Sequence, residues 1–365
     1  MLTLAFRNLF QEKIKLFISI MGVAFSVLLI MVLMGVYQGL NTKLGEYIQT
    51  VPADLWVAQE GSKNLFDSTS VLSATAKAQI EQVEGVNSVK VFNGRQITVN
   101  VNGVEKRAFV VGLGGNSGAV SPKIVEGTAD IKSGEIILDR SLKDAKLGQE
   151  VTVGGQTFKV AGITEGGNVL IVTYAFMHSD DATKLFKQDG VVNYFIVNAA
   201  DDADIARVVK GIETAVPDTR AMGTAAFINN TTSVVKEVFL PIIAVLSLIG
   251  MAVGITVIGL TIFTSTLEKA KEYGVLKAIG IRDSQLYKIV LQQSLITSVI
   301  GFMVGAALGL GLTELAMKFV PEFVSSIQTK DVVLLFIATI VMGAIAAFLP
   351  ARRITKIDPA EVFKG

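Results

Sequence analysis

The sequence has no cysteine and only one histidine, His178, among its 365 residues. Without cysteine the chain can form no disulfide bond, no thiolate nucleophile and no Cys-ligated metal site. A single histidine also excludes a His-rich metal cluster and leaves no credible Ser-His-Asp arrangement. We therefore expect no bound metal and no catalytic centre in this chain, and we expect His178 at the surface near a helix N-terminus.

Charged residues are scarce as well, at 18% of the chain against 51% hydrophobic residues, and the mean hydropathy is +0.54. Soluble domains carry about 25% charged residues, so this composition is typical of a membrane protein. The formal net charge of +1 provides no field that would attract nucleic acid. The phosphate-binding pattern G-x-x-x-x-G-K-[ST] is also missing, so ATP-driven work would require another chain.

Four stretches are free of charged residues for long enough to cross a bilayer, which takes about 20 residues of helix. They are Leu16–Thr42, Val238–Leu267, Ile289–Thr313 and Val332–Ala351. The first stretch is longer than the apolar part of a signal peptide, and no small-residue cleavage site follows it cleanly, so we expect it to be retained. None of the four has an ionisable residue at its centre, which argues against a proton-driven pump.

Lysine and arginine are unevenly distributed around these spans, and this distribution predicts their orientation. Segments 1–15, 268–288 and 352–365 contain 12 of these residues, whereas the 314–331 loop contains two. We therefore expect a multi-pass protein of the cell membrane with both termini in the cytoplasm. The large segment 43–237 and the 314–331 loop are then extracytoplasmic.

The segment 43–237 has the alternating hydrophobic pattern of β-strands, interrupted by two stretches with helical spacing. Three turn-forming pairs lie between its strand-like runs: Asn93-Gly94, Asn102-Gly103 and Gly154-Gly155. Such pairs are strong short-range signals for β-hairpins. The segment is therefore predicted to fold as an α+β domain.

The two ends of this segment indicate how it joins the membrane part. The helical pattern of the first two spans continues over Leu44–Gln49 and Ala225–Glu237, which predicts stalk helices. Trp56, the only tryptophan, lies in a strand-like run after the first stalk, and we expect it in the domain core. The predicted fold class is an α-helical membrane protein with four transmembrane helices (1 + 3) and an α+β extracytoplasmic domain inserted between the first and second spans.

Residues 268–288 form a highly charged segment between the second and third spans. A helical pattern places four apolar residues of this region at multiples of three: Leu267, Tyr273, Leu276 and Ile279. Gly280 is suited to end this helix in a left-handed conformation, and Asp283 or Ser284 to cap the next helix. The segment is either a solvated turn or a docking helix, and its length favours docking because a turn needs only about two to eight residues.

Three stretches resemble the FtsX/MacB-like permeases of ABC transporters. "EKAKEYGVLKAIG" (268–280) is similar to the motif that follows the second span in that family, and "PARRITKIDPAEVFKG" (350–365) is similar to the family's ending. The opening "LAFRNLFQEKIKLFISIMGVAFSVLLI" (4–30) resembles its basic N-terminal segment. With the predicted topology, the resemblance covers essentially the whole chain, although the outer domain matches only in general pattern.

The resemblance implies a non-catalytic permease subunit that works with a separate ABC ATPase subunit, which binds ATP and Mg²⁺. It also implies a homodimer, or a pair of related permeases, in which a coupling helix lies in a groove of the ATPase. The residues carried over as coupling residues all lie in the charged segment: Glu268, Glu272, Gly274, Leu276, Lys277, Ala278, Ile279 and Gly280.

In such a protein, closure of the ATPase pair would tilt the spans and stalks and move the outer domains, a mode called mechanotransmission. The expected function is export or extrusion of an amphiphile such as a lipid, haem, peptide or lipoprotein. The alternative is a regulator that transmits force to an extracytoplasmic partner protein, a cell-wall hydrolase or sensor, without transport. A membrane-anchored enzyme is disfavoured because no catalytic constellation is present.

Glycine recurs every four residues in three of the spans, including Gly35 and Gly39 of the first, a pattern that lets helices approach closely in lipid. The third span has Gly301, Gly305 and Gly309 on one face, and the second has Gly250 and Gly254. Such faces serve either helix packing within one subunit or a dimer seam. Because the second span faces the dimer axis in the family that the sequence resembles, we expect Gly250 and Gly254 at the seam.

Overall fold

The computed structural model describes residues 11–66, 70–120, 123–142, 145–165, 168–169, 172–320 and 323–355. The start of the N-terminal segment and the last ten residues of the family-like ending lie outside these ranges. The chain divides into two compact units. The membrane unit comprises Met1–Gly39, Val238–Val320 and Ser325–Gly365, and the outer unit comprises Leu40–Glu237 and Pro321–Val324.

Eight helices and fourteen strands lie within the described ranges. The helices are α1 (Lys13–Thr50), α2 (Ala76–Glu81), α3 (Ser179–Phe186), α4 (Ile205–Ala215), α5 (Thr224–Glu268), α6 (Ala270–Ala278), α7 (Asp283–Phe319) and α8 (Thr329–Thr355). The strands are β1 (Leu55–Gln59), β2 (Leu72–Ser73), β3 (Val86–Phe92), β4 (Gly94–Val101), β5 (Val104–Leu113), β6 (Ile124–Gly127), β7 (Glu135–Asp139), β8 (Glu150–Val153), β9 (Gln156–Thr164), β10 (Asn168–Val169), β11 (Val172–His178), β12 (Val191–Val192), β13 (Tyr194–Ala199) and β14 (Thr219–Gly223).

Four of these helices, α1, α5, α7 and α8, are long and apolar enough to cross a membrane. They lie one before and three after the chain of the outer unit, so the predicted fold class is confirmed. Each helix is longer than the charge-free stretch on which its prediction rested. Helix α1 continues to Thr50, and α5 begins at Thr224, so both helices contain the residues that the sequence assigned to stalks.

Helix α7 packs against α1 along its three regularly spaced glycines. A Cβ atom added to Gly301 would lie 2.5 Å from the Cβ of Val23, and one added to Gly305 would lie 2.5 Å from the carbonyl oxygen of Ala24. Both distances are shorter than side-chain contacts in proteins allow. The two backbones therefore approach as closely as they do because these positions carry no side chain.

Gly250 and Gly254 also pack within the subunit. The Ser26 hydroxyl of α1 donates a hydrogen bond of 2.8 Å to the Gly250 carbonyl. A Cβ at Gly254 would lie 2.5 Å from the sulfur of Met342 in α8. These two glycines therefore serve helix packing within the subunit, which is one of the two uses that the sequence left open, and their place at a dimer seam stays a prediction.

The outer unit contains a four-stranded antiparallel sheet with the order β14-β1-β13-β3. Helix α2 connects β1 to β3, and α4 connects β13 to β14, so the arrangement is a split βαβ fold. Alternate residues of β1 face opposite sides of the sheet. Leu55 and Val57 share a core with Ile80 of α2 and Ile212 of α4, whereas Trp56 points to the other side.

A small β-barrel is inserted between β3 and β13. Its strands pair around a closed ring in the order β5-β4-β8-β9-β7-β11, and β11 pairs back with β5. Because the ring is closed, each of these six strands has a hydrogen-bonded neighbour on both sides, and none has a free edge within the ring. Side chains such as Val99, Val110, Leu138 and Val160 form one buried aliphatic core, as expected for a barrel too narrow to hold a channel.

Two of the three predicted hairpins are confirmed. Asn102 (φ 53°) and Gly103 (φ 84°) link β4 to β5, and both positive angles are those of a type I′ turn. Gly154 and Gly155 link β8 to β9 in the same left-handed region, with φ of 55° and 86°. In each pair, the first strand and the second strand are hydrogen-bonded neighbours.

The predicted hairpin at Asn93-Gly94 is wrong, because β3 and β4 belong to different sheets. The pair instead marks the crossing from the four-stranded sheet to the barrel. The Asn93 side-chain oxygen accepts a hydrogen bond from the backbone N–H of Asn193, and the Gly94 N–H donates to the Asn193 side chain, each at 3.0 Å. These reciprocal bonds connect the two points at which the chain leaves and re-enters the four-stranded sheet.

Aromatic side chains fill the core between the four-stranded sheet and the barrel. This aromatic cluster consists of Tyr47, Trp56, Phe92, Tyr174, Phe176, Tyr194 and Phe227. Phe227 of α5 stacks on Trp56 with ring centroids 4.6 Å apart, and Tyr47 of α1 lies 4.7 Å from Tyr174. The core position expected for Trp56 is confirmed, and both stalk helices are anchored through aromatic rings.

We expect Gly305→Ala to lower the stability of the membrane unit, because the new methyl group would overlap the backbone of Ala24. Overpacking of this kind costs about 1–3 kcal/mol. Gly311→Ala is the matched control, since the same helix leaves open space at that position. The measurement is the fraction of full-length protein that stays monodisperse in detergent after heating. Equal stability of the two variants would contradict the close α1–α7 packing.

Candidate functional site

The charged segment between the second and third spans forms a separate short helix. The long helix α5 ends at Glu268, and the backbone of Lys269 leaves helical geometry (φ −93°, ψ 14°) before α6 begins. At the other end Gly280 adopts φ 96°. The Gly280 N–H donates to the Lys277 carbonyl and the Ile281 N–H donates to the Leu276 carbonyl, which is the Schellman arrangement that the sequence indicated.

The residue that caps α7 differs from the expectation. Arg282 occupies the N-cap position, and the side chain of Gln285 accepts a hydrogen bond of 3.1 Å from its backbone N–H. Asp283 is already the first residue of the helix. Its carboxylate is instead 3.1 Å from the ammonium group of Lys277, so the prediction that Asp283 or Ser284 is the cap is wrong.

Helix α6 has a buried face and an exposed face. Tyr273 is 2% exposed and, with partly buried Leu276, packs against the membrane helices, whereas Ile279 is 72% exposed. The predicted apolar stripe is therefore divided between the two faces. The exposed face, called the docking face here, consists of Lys271, Glu272, Val275, Ala278 and Ile279.

Lys277 holds the end of α6 against both helices that follow it. Its ammonium group donates a 2.9 Å hydrogen bond to the carbonyl of Thr355, in the last turn of α8. The same group pairs with Asp283 at the start of α7. Lys277 is mostly buried by these contacts, so it positions the helix and does not belong to the docking face.

A cluster of polar residues holds the start of α6 against the first helix. This junction cluster consists of Gln11, Glu12, Lys15, Ser265, Glu268 and Lys269. Lys15 lies between the carboxylates of Glu12 and Glu268, at 3.1 Å from the former. Lys269 is only 8% exposed and donates a 3.1 Å bond to the side chain of Gln11. A buried ammonium group requires such partners, because its desolvation is otherwise costly.

The structure therefore separates the predicted coupling residues into two groups. Glu272, Ala278 and Ile279 lie on the docking face. The others are connecting or packing positions: Glu268, Gly274, Leu276, Lys277 and Gly280.

The sequence analysis did not identify Val275 of the docking face or Glu12 and Lys15 of the junction cluster. Glu12 and Lys15 are three residues apart, and this spacing on a helix was a sequence signal for an ion pair just before the first span.

His178 has a structural role at the N-terminus of α3. Its Nδ1 atom accepts a 3.4 Å hydrogen bond from the backbone N–H of Asp180, so the side chain caps the helix as expected for its position. Among the residues that the structure describes, no three His, Asp or Glu side chains form a group able to hold a metal ion.

The hydroxyl groups of the aromatic cluster remain protonated at physiological pH. Burial raises the pKa of Tyr174 far above its usual value, and it raises the pKa of Tyr194 to about 12. The Tyr194 hydroxyl donates a 2.8 Å bond to the Asn64 carbonyl. The aromatic packing that holds the stalks is thus uncharged at physiological pH, because burial disfavours the charged phenolate form.

Comparison with protein families and known proteins finds matches over both units. The family model for the MacB-like periplasmic core domain matches residues 16–215, and the model for the FtsX-like permease C-terminal domain matches residues 244–359. The first match alone covers more than half of the chain.

Individual relatives have low sequence identity to this chain, but two of the three described here match over nearly its whole length. A protein named as the hemin transport system permease protein HrtB of Staphylococcus haemolyticus is 24% identical over 92% of this chain and 92% of its own length. An uncharacterised ABC transporter permease of Methanocaldococcus jannaschii is 24% identical over 100% of this chain and 97% of its own length. The macrolide export ATP-binding/permease protein MacB of Agrobacterium fabrum is 25% identical over 59% of this chain and 35% of its own length.

We expect Lys277→Met to loosen α6 while it leaves the docking face unchanged. The substitution removes a charge-assisted hydrogen bond and an ion pair, which are together worth roughly 1.5–3 kcal/mol. Amide hydrogen exchange of residues 270–282 should then be about 10–100 times faster. Lys271→Met is the matched control, because Lys271 is exposed on the same helix. If both variants exchange as slowly as the parent protein, Lys277 does not hold the helix.

Proposed function

Since the chain belongs to the FtsX- and MacB-like family of ABC transporter permeases, we propose that it transmits ATP-driven motion from a separate ATPase subunit to its own outer domain. In this proposal ATP and Mg²⁺ bind to the ATPase, and the chain itself performs no catalysis. The observation that carries the proposal is helix α6, which is held at both ends and exposes one face. That combination suits a helix that receives force from a partner.

The chemistry of the docking face suits a protein groove. Val275 is 43% exposed and Ile279 is 72% exposed, and the charged side chains Lys271 and Glu272 stand beside them. Interfaces of this kind combine apolar residues that become buried with charged residues at the rim, where the charges contribute orientation. We therefore assign Val275 and Ile279 as the anchors of the ATPase contact.

The two long helices α1 and α5 supply the path for the motion. Helix α5 has 45 residues and is about 68 Å long at the usual rise of 1.5 Å per residue. One end adjoins the junction cluster, and the other carries Phe227, which stacks on Trp56 in the outer unit. A displacement of α6 is thereby applied to a helix whose far end is anchored by aromatic packing.

The proposed complex contains two copies of the permease, two ATPase subunits and the surrounding bilayer of the cell membrane. Both termini and α6 lie in the cytoplasm in this arrangement. The excess of Lys and Arg in the segments 1–15, 268–288 and 352–365 supports that orientation, because such residues are retained on the cytoplasmic side. A homodimer is the simplest pairing, since the chain then supplies both halves of the complex.

We propose export of an amphiphilic molecule as the purpose of the motion. Two of the relatives carry names that refer to transport of hemin and export of a macrolide. Hemin and macrolides are both amphiphilic, so the proposal places the substrate of this chain in the same chemical class, with lipids, peptides and lipoproteins as members. Regulation of an extracytoplasmic hydrolase uses the same transmission and is the alternative that the test below also addresses.

We expect Ile279→Asp to prevent binding of the ATPase subunit. An aspartate at an apolar anchor of an interface loses its hydration without gaining a partner, so the affinity should fall by at least about tenfold. The measurement is the amount of ATPase that co-purifies from the native host in gentle detergent, together with ATP hydrolysis by the purified complex. Glu272→Lys should reduce both quantities as well, because it reverses a charge on the docking face.

Met317→Asp is the control for Ile279→Asp, because it introduces the same charge at a position that is 42% exposed near the other end of α7. The control should retain the ATPase. If the parent protein co-purifies with no ATP-binding subunit, the proposed function is wrong. If the complex also contains a cell-wall hydrolase in equal amount, regulation replaces export as the purpose of the motion.

A further inference from the structure

An open groove lies between α5 and α8 at the same end of the membrane unit as α6. Its volume is about 1350 Å³, and its walls are formed by exposed apolar side chains. Leu260 and Phe263 project from α5, and Ile345, Phe348 and Leu349 project from α8. No helix of the described membrane unit fills this space, so inside a bilayer its occupant has to be apolar along most of its length.

One end of the groove is strongly basic. Arg352 and Arg353 line it directly after the charge-free part of α8. Both residues are exposed, and neither is a member of any ion pair between described residues. This differs from the nearby lysines Lys15, Lys269 and Lys277, each of which has a carboxylate partner within the chain. Among the described residues, the two guanidinium groups therefore have no ion-pair partner and line the groove.

We propose that the groove binds an anionic phospholipid, with its acyl chains along the apolar walls and its phosphate on Arg352 and Arg353. A guanidinium group donates two parallel hydrogen bonds to a phosphate, which an ammonium group does not. The apolar length and the basic end match the two parts of such a lipid. In the orientation proposed above, the lipid comes from the cytoplasmic leaflet.

A second copy of the chain is a poorer occupant of the groove. Soluble and membrane homodimers form around two-fold axes, so the same patch of both copies is buried. Packing on this groove would bring Arg352 and Arg353 close to the same two residues of the other copy. Such an approach of like charges disfavours this pairing, whereas a phosphate removes the repulsion between the neighbouring arginines.

The lipid would also hold the end of α8 to which α6 is bound. Arg352 and Arg353 lie within one turn of Thr355, and the carbonyl of Thr355 accepts the hydrogen bond from Lys277. The headgroup site and the helix that faces the ATPase therefore share the last turn of α8. The binding proposal itself does not depend on the ATPase, so it can be tested on the isolated chain.

The test is native mass spectrometry of the delipidated full-length protein in detergent. The protein is titrated with phosphatidylglycerol or with phosphatidylcholine of identical acyl chains. We expect the parent protein to bind phosphatidylglycerol at least about tenfold more tightly, and we expect the double variant R352Q/R353Q to reduce this preference to about twofold or less. The matched control R282Q/K288Q removes two exposed basic residues at the start of α7, and it should keep the preference.

A second variant, Gly259→Phe, tests the apolar part of the groove. Gly259 lines the groove, and a Cβ there would lie 3.4 Å from the carbonyl of Ala346, so a larger side chain must project into the open space. This variant should weaken binding of both lipids by a similar factor while the preference remains. The proposal is overturned if the parent protein shows no preference, if R352Q/R353Q keeps it, or if Gly259→Phe binds phosphatidylglycerol as tightly as the parent does.

Discussion

A nine-residue helix such as α6 is not stable by itself, and the proposed function depends on the contacts that hold this helix in place. Isolated helices shorter than about 12 residues are marginal in water, because nucleation is costly and few hydrogen bonds follow. Helix α6 gains its stability from buried Tyr273, from Lys277 and from the junction cluster. These contacts hold a short helix against the membrane helices, as the proposed transmission of force requires.

The parts of α1 and α5 that belong to the outer unit are held by a different kind of interaction. Ion pairs and charge-assisted hydrogen bonds surround α6, whose docking face is exposed. Aromatic stacking anchors α1 and α5 in the outer unit, where Tyr47 contacts Tyr174 and Phe227 contacts Trp56. Aromatic pairs bury large areas with few rotatable bonds, so they resist displacement of one helix against the sheet. Polar contacts therefore hold the long helices near α6, and aromatic packing holds them in the outer unit.

The number and positions of the four spanning helices could be predicted from the sequence because long charge-free stretches are local signals. The hairpins at Asn102-Gly103 and Gly154-Gly155 were predictable for the same reason. The pair Asn93-Gly94 has the same local signal, but its backbone is determined by Asn193, about a hundred residues away in the sequence. The inserted barrel lies between Asn93-Gly94 and Asn193 in the sequence, and no short-range sequence pattern predicts that insertion.

The candidate site at α6 could likewise be predicted only as far as local sequence patterns reach. The position and the C-terminal cap of α6 follow from the spacing of its residues, but its exposed face does not. Tyr273 and Ile279 have equivalent spacing in the predicted stripe, yet one packs inward and the other faces outward. Likewise, Gly250 and Gly254 have the pattern of a helix contact, and only the structure identifies α1 and α8 as the helices in contact.

A distance measurement in the assembled complex tests whether motion at α6 reaches the outer domain, as the proposed function requires. The absence of cysteine allows a single spin label at Val104→Cys, an exposed position in the β4–β5 hairpin of the outer unit. The distance between the labels of the two permease copies is then measured in the assembled complex, with and without a non-hydrolysable ATP analogue. The account predicts that this distance changes when the nucleotide binds. An unchanged distance in a complex that hydrolyses ATP would contradict it.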